Sequence, residues 1–348
     1  MRAGMTGRTT FQQLPARAPT SAWNPPGTGS TLSGPARRRF ASPADGPCPE
    51  DEMQRKPIPP TDTERPRIDL TDGGLAASIV VDASPGAVEA ARRAASAVFV
   101  GLAARLAVEV EASRVPARPD GTTLVDPLFR RMWRAVRPFS DVPVAPIVAR
   151  DGAIAEEILA AVTAAAHLDR AVVTVGGAVA LHLTPGFGFR AGLPLAAGEP
   201  AATVEVRPGD MVRGIGTAAG AELRPLFGIA ETVTVSAQTA ARAAAAAAVI
   251  ADSVDLPGHS AVTRVPADLL DPGSPWGARP VVRAVGRLDA DDVAAALAAG
   301  RMSAERMIEA GTISGCVVAL RGELLTLGRV ETPVEPEMAA SRRIRGRS

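Results

Sequence analysis

Residues Thr239 to Ala251 are mostly alanine, with Arg242 the one charge among them, and this run restricts the fold more than any other stretch. Alanine has the highest helix propensity and loses no side-chain entropy on folding. A helix over about Ala237 to Val254 is therefore predicted. Its methyl side chains allow close helix–sheet approach, which suggests a central helix packed tightly on both sides. The same run is a poor bilayer segment, because alanine transfers little apolar area and Arg242 interrupts it.

Composition is that of an ordinary globular protein. Hydrophobic residues make up 46% and charged residues 22% of 348, enough to build a substantial core. Basic and acidic residues nearly cancel, 38 against 37. A net charge of +1 provides no field to attract nucleic acid or a membrane surface. Lys56 is the only lysine and tyrosine is absent, a bias we read as that of a GC-rich genome, which lowers the weight of any single arginine. Two cysteines, Cys48 and Cys316, and three histidines occur without C-x-x-C or H-x-x-x-H spacing. A disulfide framework and a protein-built zinc site are not expected, and a reducing cytoplasm fits best.

The texture changes along the chain. Residues 1–64 are rich in Pro, Gly, Ser, Thr and Arg, with no acidic residue before Asp45, and are expected to be a disordered tail. Their acid-poor, Arg-rich start also fits a transit peptide, but they lack the amphipathic face such a helix needs. A start at Met53 is the third reading. Residues 65–330 are expected to be one domain and 331–348 a second disordered tail. Within the domain, Ile68 to Val81 reads as two strands about a turn at Asp72-Gly73-Gly74. Ser84-Pro85 opens a helix running to about Leu106. Further helices are expected at Pro127–Val136 and at Asp151–His167, the latter with Asp151 as a cap. Strands follow at Ala171–Leu183, with a hairpin partner at Phe187–Leu193, and at Ala202–Val206, Met211–Gly216 and Thr232–Ser236. After the alanine helix come short strands near Val262 and Val281, helices at Ala290–Ala299 and Ser303–Glu309, and a hairpin turning at Arg321-Gly322. Strands come in runs with helices between them, so the fold class is α+β with mainly antiparallel sheets.

Chemistry-bearing signals are few. Gly176 and Gly177 interrupt a β-branched run, which marks either a bulge or a close approach of backbone to a ligand; the bulge is preferred. Gly214 and Thr217 lie in MVRGIGTAAG, read as a strand running into a glycine-rich loop, with neither G-x-G-x-x-G spacing nor a Walker lysine. Thr217 there either donates to an anion or satisfies a turn. No G-x-S-x-G motif occurs, and Cys316, in an apolar strand-like run, reads as a buried small hydrophobe. Asp151, Glu156 and His182 are the candidate acid–base groups.

Several segments together resemble the uncharacterised branch of the ApbE-like superfamily, whose better known members are flavin (FMN) transferases. They are RIDL at Arg67–Leu70, PVAPIVARDGAIAEEI at Pro143–Ile158, VGGAVAL at Val175–Leu181, GIGT at Gly214–Thr217, GIAETVTV at Gly228–Val235 and IADSVD at Ile250–Asp255. The resemblance implies an α+β domain of two related halves with a central alanine-rich helix. In the transferases the cleft holds a flavin dinucleotide and a magnesium ion, the ion bound by an Asp and a Thr near the start of that helix. This chain has Ala178 after its glycine pair where the family has Asp, and Ala244 and Ala248 stand at the metal-binding positions. What the resemblance then implies is a cleft around Gly176, Gly177, Gly214 and Thr217 that takes a small polar or nucleotide-like molecule without its metal. A flavin remains possible by resemblance alone. The alternatives are a non-catalytic binding or assembly protein, which could be a homo-oligomer, and a transferase with a metal site relocated to Asp210, Asp252 or Asp255.

Overall fold

Asp72-Gly73-Gly74 turns the chain as expected. Gly73 and Gly74 take φ of +53° and +85°, a region that is sterically open to glycine, and join β1 (Arg67–Asp72) to β2 (Leu75–Asp82) in antiparallel register. The computed structural model describes residues 65–118, 121–194, 200–219 and 227–330. These lie within the second of two units, Pro59–Ser348. The expected tails, 1–64 and 331–348, fall outside the described residues.

The helix predicted from Ser84 to Leu106 is two helices. Ser84 caps α1 (Pro85–Phe99) by accepting from the Ala87 N–H. Val100 is then extended and Gly101 takes φ +78°, so the chain turns before α2 (Leu102–Arg114) begins. Asp126 caps α3 (Pro127–Val136), its Oδ1 accepting from Leu128 N at 2.7 Å. A 3₁₀ turn over Pro146–Ala149 runs directly into α4 (Arg150–Ala165). Ala149 takes the cap position, so Asp151 sits in the first turn instead of capping. A carboxylate there is still favoured by the helix dipole.

The strand expected over Ala171–Leu183 is a hairpin. Gly176, at φ +51°, and Gly177 form its two-residue turn between β3 (Arg170–Val175) and β4 (Ala178–Leu183). The preferred bulge is therefore absent. The expected partner near Phe187 pairs elsewhere: β5 (Phe189–Pro194) joins β6 (Pro200–Val206) in a separate two-stranded ribbon. The strand expected at Met211–Gly216 lies three residues further on as β7 (Gly214–Ala219), taking in residues expected to form the glycine-rich loop, and is followed by β8 (Thr232–Ala237). The alanine run forms α5 (Ala240–Ser253), capped by Thr239. Then come β9 (Val262–Pro266), the one-turn α6 (Ala267–Leu270) and β10 (Pro280–Val285). The two helices expected around residue 300 are one, α7 (Ala290–Glu309), opened by an Asp289/Asp292 capping box. Gly300 lets that helix meet Val254, with which any Cβ would overlap. The closing hairpin, β11 (Gly315–Leu320) and β12 (Glu323–Gly328), turns at Arg321-Gly322 as expected.

Eight strands form one fully antiparallel sheet in the order β1-β2-β3-β4-β7-β8-β11-β12. The order divides into two quartets of similar connectivity, each a hairpin, a helical segment and a second hairpin, the second quartet adding the β9–β10 ribbon between its helices. The fold is thus α+β with mainly antiparallel sheets and two related halves.

Alternation along the strands sorts the two faces. Val173, Val175, Ala180, Val233, Val235, Cys316 and Val318 face the helices and belong to the main core. Val172, Leu181 and Ile215 point to the other face, where Phe189, Val204 and Val206 of the β5–β6 ribbon cover them. α5 lies in the middle of the helical layer, with ten of its residues buried. It comes close because its neighbours are glycine: a Cβ at Gly214 or Gly216 on β7, or at Gly152 on α4, would overlap the α5 backbone at Ala240 or Ala244. The alanine run is legible in these terms, with small residues on the helix matched by missing side chains on both partners.

Candidate functional site

The end of the sheet where β4 meets β7 opens into a cavity of about 630 Å³. Its floor is backbone and methyl groups: Gly177 and Ala178 from the β3–β4 turn, Thr217 and Ala218 from β7, and Ala244 and Ala248 one turn apart on α5. Asp252 continues the α5 wall. Arg150 and Asp151, at the start of α4, line one side, and Arg114 and Glu111, at the end of α2, another. Pro143–Ala145, Ile147 and Val148 give an aliphatic side, and a further wall is aromatic. Phe227 and Trp276 meet edge to face with centroids 5.0 Å apart. The Arg279 guanidinium lies 4.0 Å from the Phe227 centroid and 5.5 Å from that of Trp276, which holds both rings in place by cation–π attraction.

Each expected site residue has a definite place. Asp151 reaches the cavity. Its Oδ1 is 2.8 Å from Arg150 Nε, and its carboxylate packs over Gly176, where any Cβ would collide with it. Gly177 lines the cavity, its carbonyl accepting from Thr217 N at 2.7 Å. The Thr217 hydroxyl is 2.9 Å from that of Thr234. Gly214 is not a lining residue; it lies buried beneath Ala240.

Glu156 and His182 point elsewhere. Glu156 Oε1 accepts from Ala241 N at 2.7 Å, so the carboxylate satisfies a free donor at the α5 N-terminus. Arg131 sits 3.5 Å from its other oxygen. Burial pushes the Glu156 carboxyl above its ordinary range, against the pull of the Ala241 N–H, the Thr239 hydroxyl and the Arg131 and Arg242 charges. His182 lies at the end of β4 remote from Gly177, where Nε2–H donates to the Leu168 carbonyl at 3.1 Å. The three candidate acid–base groups therefore do not meet. Cys316 is fully buried, with its thiol pushed up to about 12 by desolvation, and is no nucleophile at neutral pH.

The raised Glu156 pKa gives a signed prediction. A carboxyl whose folded pKa exceeds its unfolded value contributes stability below the unfolded pKa, and that contribution is lost as pH rises through the folded pKa. Glu156→Gln keeps an oxygen for Ala241 N–H and removes the ionisation. The stability of this variant relative to the native chain, measured by urea unfolding, is expected to rise with pH across a window that opens at the ordinary glutamate value of 4.5. A constant difference across that window would show that Glu156 ionises freely.

Of the carboxylates considered for a displaced metal site, Asp255 pairs with Arg264, and Asp210 lies 3.3 Å from Arg329. Asp252 is the one that lines the cavity, and it also accepts from Phe227 N at 3.2 Å. Among the described residues, no group of three or more His, Cys, Asp or Glu side chains is placed to hold an ion, and no helix is long and apolar enough to cross a membrane.

Trp276, Phe227 and Arg114 were not foreseen. Trp276 carried a usable signal: aromatic residues are only 3% of this chain, and this one stands in the turn-rich DPGSPWG segment. A large aromatic in a loop is more often a contact for something else than part of the core. Arg114 had none, being one arginine among many.

Such a fold and cavity define a class, an antiparallel-sheet α+β protein whose alanine helix floors a ligand-sized cleft. The family model described as AbpE bacteria matches residues 60–327, most of the chain, and the chain belongs to that family. Three solved structures align over 76% of this chain. The apo form of the flavinyl transferase ApbE from Pseudomonas stutzeri is 10% identical with a TM-score of 0.41, and 94% of it is covered. A point mutant of the flavin transferase ApbE from Vibrio cholerae is 12% identical with a TM-score of 0.43, and its parent 11% identical with a TM-score of 0.32; each is 97% covered. No curated protein matches the sequence.

Proposed function

We propose that this chain belongs to a branch of its family distinct from the flavin transferases, and that its cleft binds a small polar or nucleotide-like molecule without a magnesium ion. The observation that carries the reading is the cavity itself, which has the volume of a small-molecule site. It combines an aromatic wall at Trp276 and Phe227 with charged groups at Arg114, Arg150, Asp151 and Asp252. Such a mixture suits a planar heterocycle carrying polar substituents.

The donor set supports the second half of the reading. Magnesium requires hard oxygen ligands in near-octahedral geometry. Ala244 and Ala248 present methyl groups to the cavity where the family resemblance puts a metal-binding Asp and Thr, so the residues there do not fit the ion. Pyrophosphate cleavage relies on such an ion to neutralise developing charge, so we assign the cleft to binding and not to flavin transfer. Asp151 is the one candidate acid–base group that lines it. The two cysteines without a disulfide framework support a reducing, cytoplasmic location for the protein.

A thermal-shift panel of flavins, nucleotides and pterins in metal-free buffer tests this. At a concentration about a hundredfold over Kd, a cleft ligand stabilises by about 2.7 kcal/mol, which for a domain of this size is a rise of roughly 5–10 °C. Ala244→Leu, which fills the floor, is expected to abolish the shift while leaving the unliganded melting temperature close to native. A panel in which nothing raises Tm, or a hit that survives Ala244→Leu unchanged, would remove the reading.

A further inference from the structure

Two segments far apart in sequence face each other across the cavity. One is the last turn of α2, which contributes Glu111 and Arg114; the other is Ser274–Trp276. Arg114 Nη2 crosses to Asp271 and forms an ion pair with its Oδ2. The same carboxylate shapes the turn behind the aromatic wall: its Oδ1 accepts from Gly273 N at 3.1 Å, and Ser274 N donates to the Asp271 carbonyl at 2.8 Å. Asp271 thus both sets the position of Ser274–Trp276 and ties it to α2.

The two ends of α2 are held differently. Its first half is anchored by buried Leu102 and Leu106 and by Arg105, which bonds Asp126 at 2.6 Å and Glu157 at 2.5 Å. Its second half is tied by Glu109, whose carboxylate accepts from Val125 N and Asp126 N at 3.1 Å, but beyond Leu106 only Ser113 is buried, its hydroxyl bonding within the helix to the Val110 carbonyl, and Val108 is 80% exposed. Arg114 holds a second carboxylate at the same time, with Glu111 Oε2, one turn back, at 3.3 Å from Nη1. Releasing Asp271 therefore leaves no unpaired cation, because Glu111 stays on the other guanidinium nitrogen. Arg114 and Asp271 are both partly exposed, so the pair is a weak tie that salt screens.

We propose that the Arg114–Asp271 pair is a latch that governs entry to the cavity, closed when Arg114 holds both Asp271 and Glu111 and open when Asp271 is released and Glu111 alone keeps the guanidinium. This rests on the reading of the cavity as a ligand site, but its test needs no ligand. In a Cys48→Ser background, Ala244→Cys places a thiol on the cavity floor while Cys316 stays buried. The rate at which a small maleimide labels that thiol reports how often the cavity is open. Asp271→Asn, which keeps the oxygen that accepts from Gly273, and Arg114→Gln are each expected to raise the rate about two- to fivefold. Raising salt from about 0.05 to about 1 M is expected to speed labelling of the parent and not of the latch variants. Equal rates in parent and variants, with no salt response in the parent, overturn the latch. Should a variant fail to fold by circular dichroism, the salt response of the parent decides alone. A working latch with no hit in the metabolite panel would leave the device standing and remove the ligand reading; a ligand hit with no latch behaviour would do the reverse.

Discussion

Gly214→Val is expected to lower the melting temperature by roughly 6–12 °C, corresponding to about 3 kcal/mol of lost stability. A Cβ at Gly214 overlaps the backbone of Thr239 and Ala240. Backbone cannot swing aside as a side-chain tip can, so the variant must push α5 off the sheet. That displacement spreads, because Gly152 on α4 and Gly216 on β7 hold the same helix by equally close approaches. The control is Gly209→Ala, where a Cβ meets nothing within 4 Å and surface substitutions of this kind change stability by about 0.5 kcal/mol at most. Scanning calorimetry on the two variants checks the pair. A Gly214→Val protein that melts with the native one would mean that α5 does not sit this close to β7.

The second large effect is a gain. Ala244→Asp together with Ala248→Thr puts a carboxylate and a hydroxyl one turn apart on the same face of α5, beside Asp252 and Asp151 in the cavity wall. The double variant is expected to become magnesium-dependent. Magnesium at about a hundredfold over its Kd should stabilise it by about 2.7 kcal/mol, a rise of roughly 5–10 °C, while the native chain stays unmoved. The readout is Tm with and without magnesium, with EDTA to reverse it. A native chain that is itself raised by magnesium defeats the metal-free reading. A folded double variant with no response would show that Ala244 and Ala248 do not stand at the family's metal positions.

Much of the fold was legible because its signals are local. The Gly73-Gly74 and Arg321-Gly322 turns, the helix starts at Ser84-Pro85 and Pro127 and the alanine helix each depend on a few adjacent residues. The misreadings share one cause: glycine marks either an unusual φ or a close approach, and a single sequence does not say which. Gly101 breaks a helix by its positive φ, whereas Gly300 stays inside one because Val254 lies against it. Gly176 turns a hairpin that was read as a bulge. Gly214 and Gly216 were read as the end of a strand running into a glycine-rich loop, whereas the strand continues to Ala219, because the reason for the glycines is a helix some 25 residues further on. The cleft was half legible for a related reason. Asp151 and Gly177 come from segments with recognisable patterns, whereas the aromatic wall comes from loops with no periodicity to read and meets Arg114, at the end of α2, only through tertiary packing.

The two quartets of the sheet are sewn together by few stitches. β4 and β7 share three register pairs, Ala178 with Gly216, Val179 with Ile215 and Ala180 with Gly214, whereas β3 with β4 and β7 with β8 share six each. The cavity opens at one end of this short seam, with Gly177 and Ala178 from one side and Thr217 and Ala218 from the other. Anything lodged there touches both repeats at their narrowest join and acts as a rivet between them. Occupancy would then be felt first as slower amide exchange along β4 and β7, before any change in the outer strands.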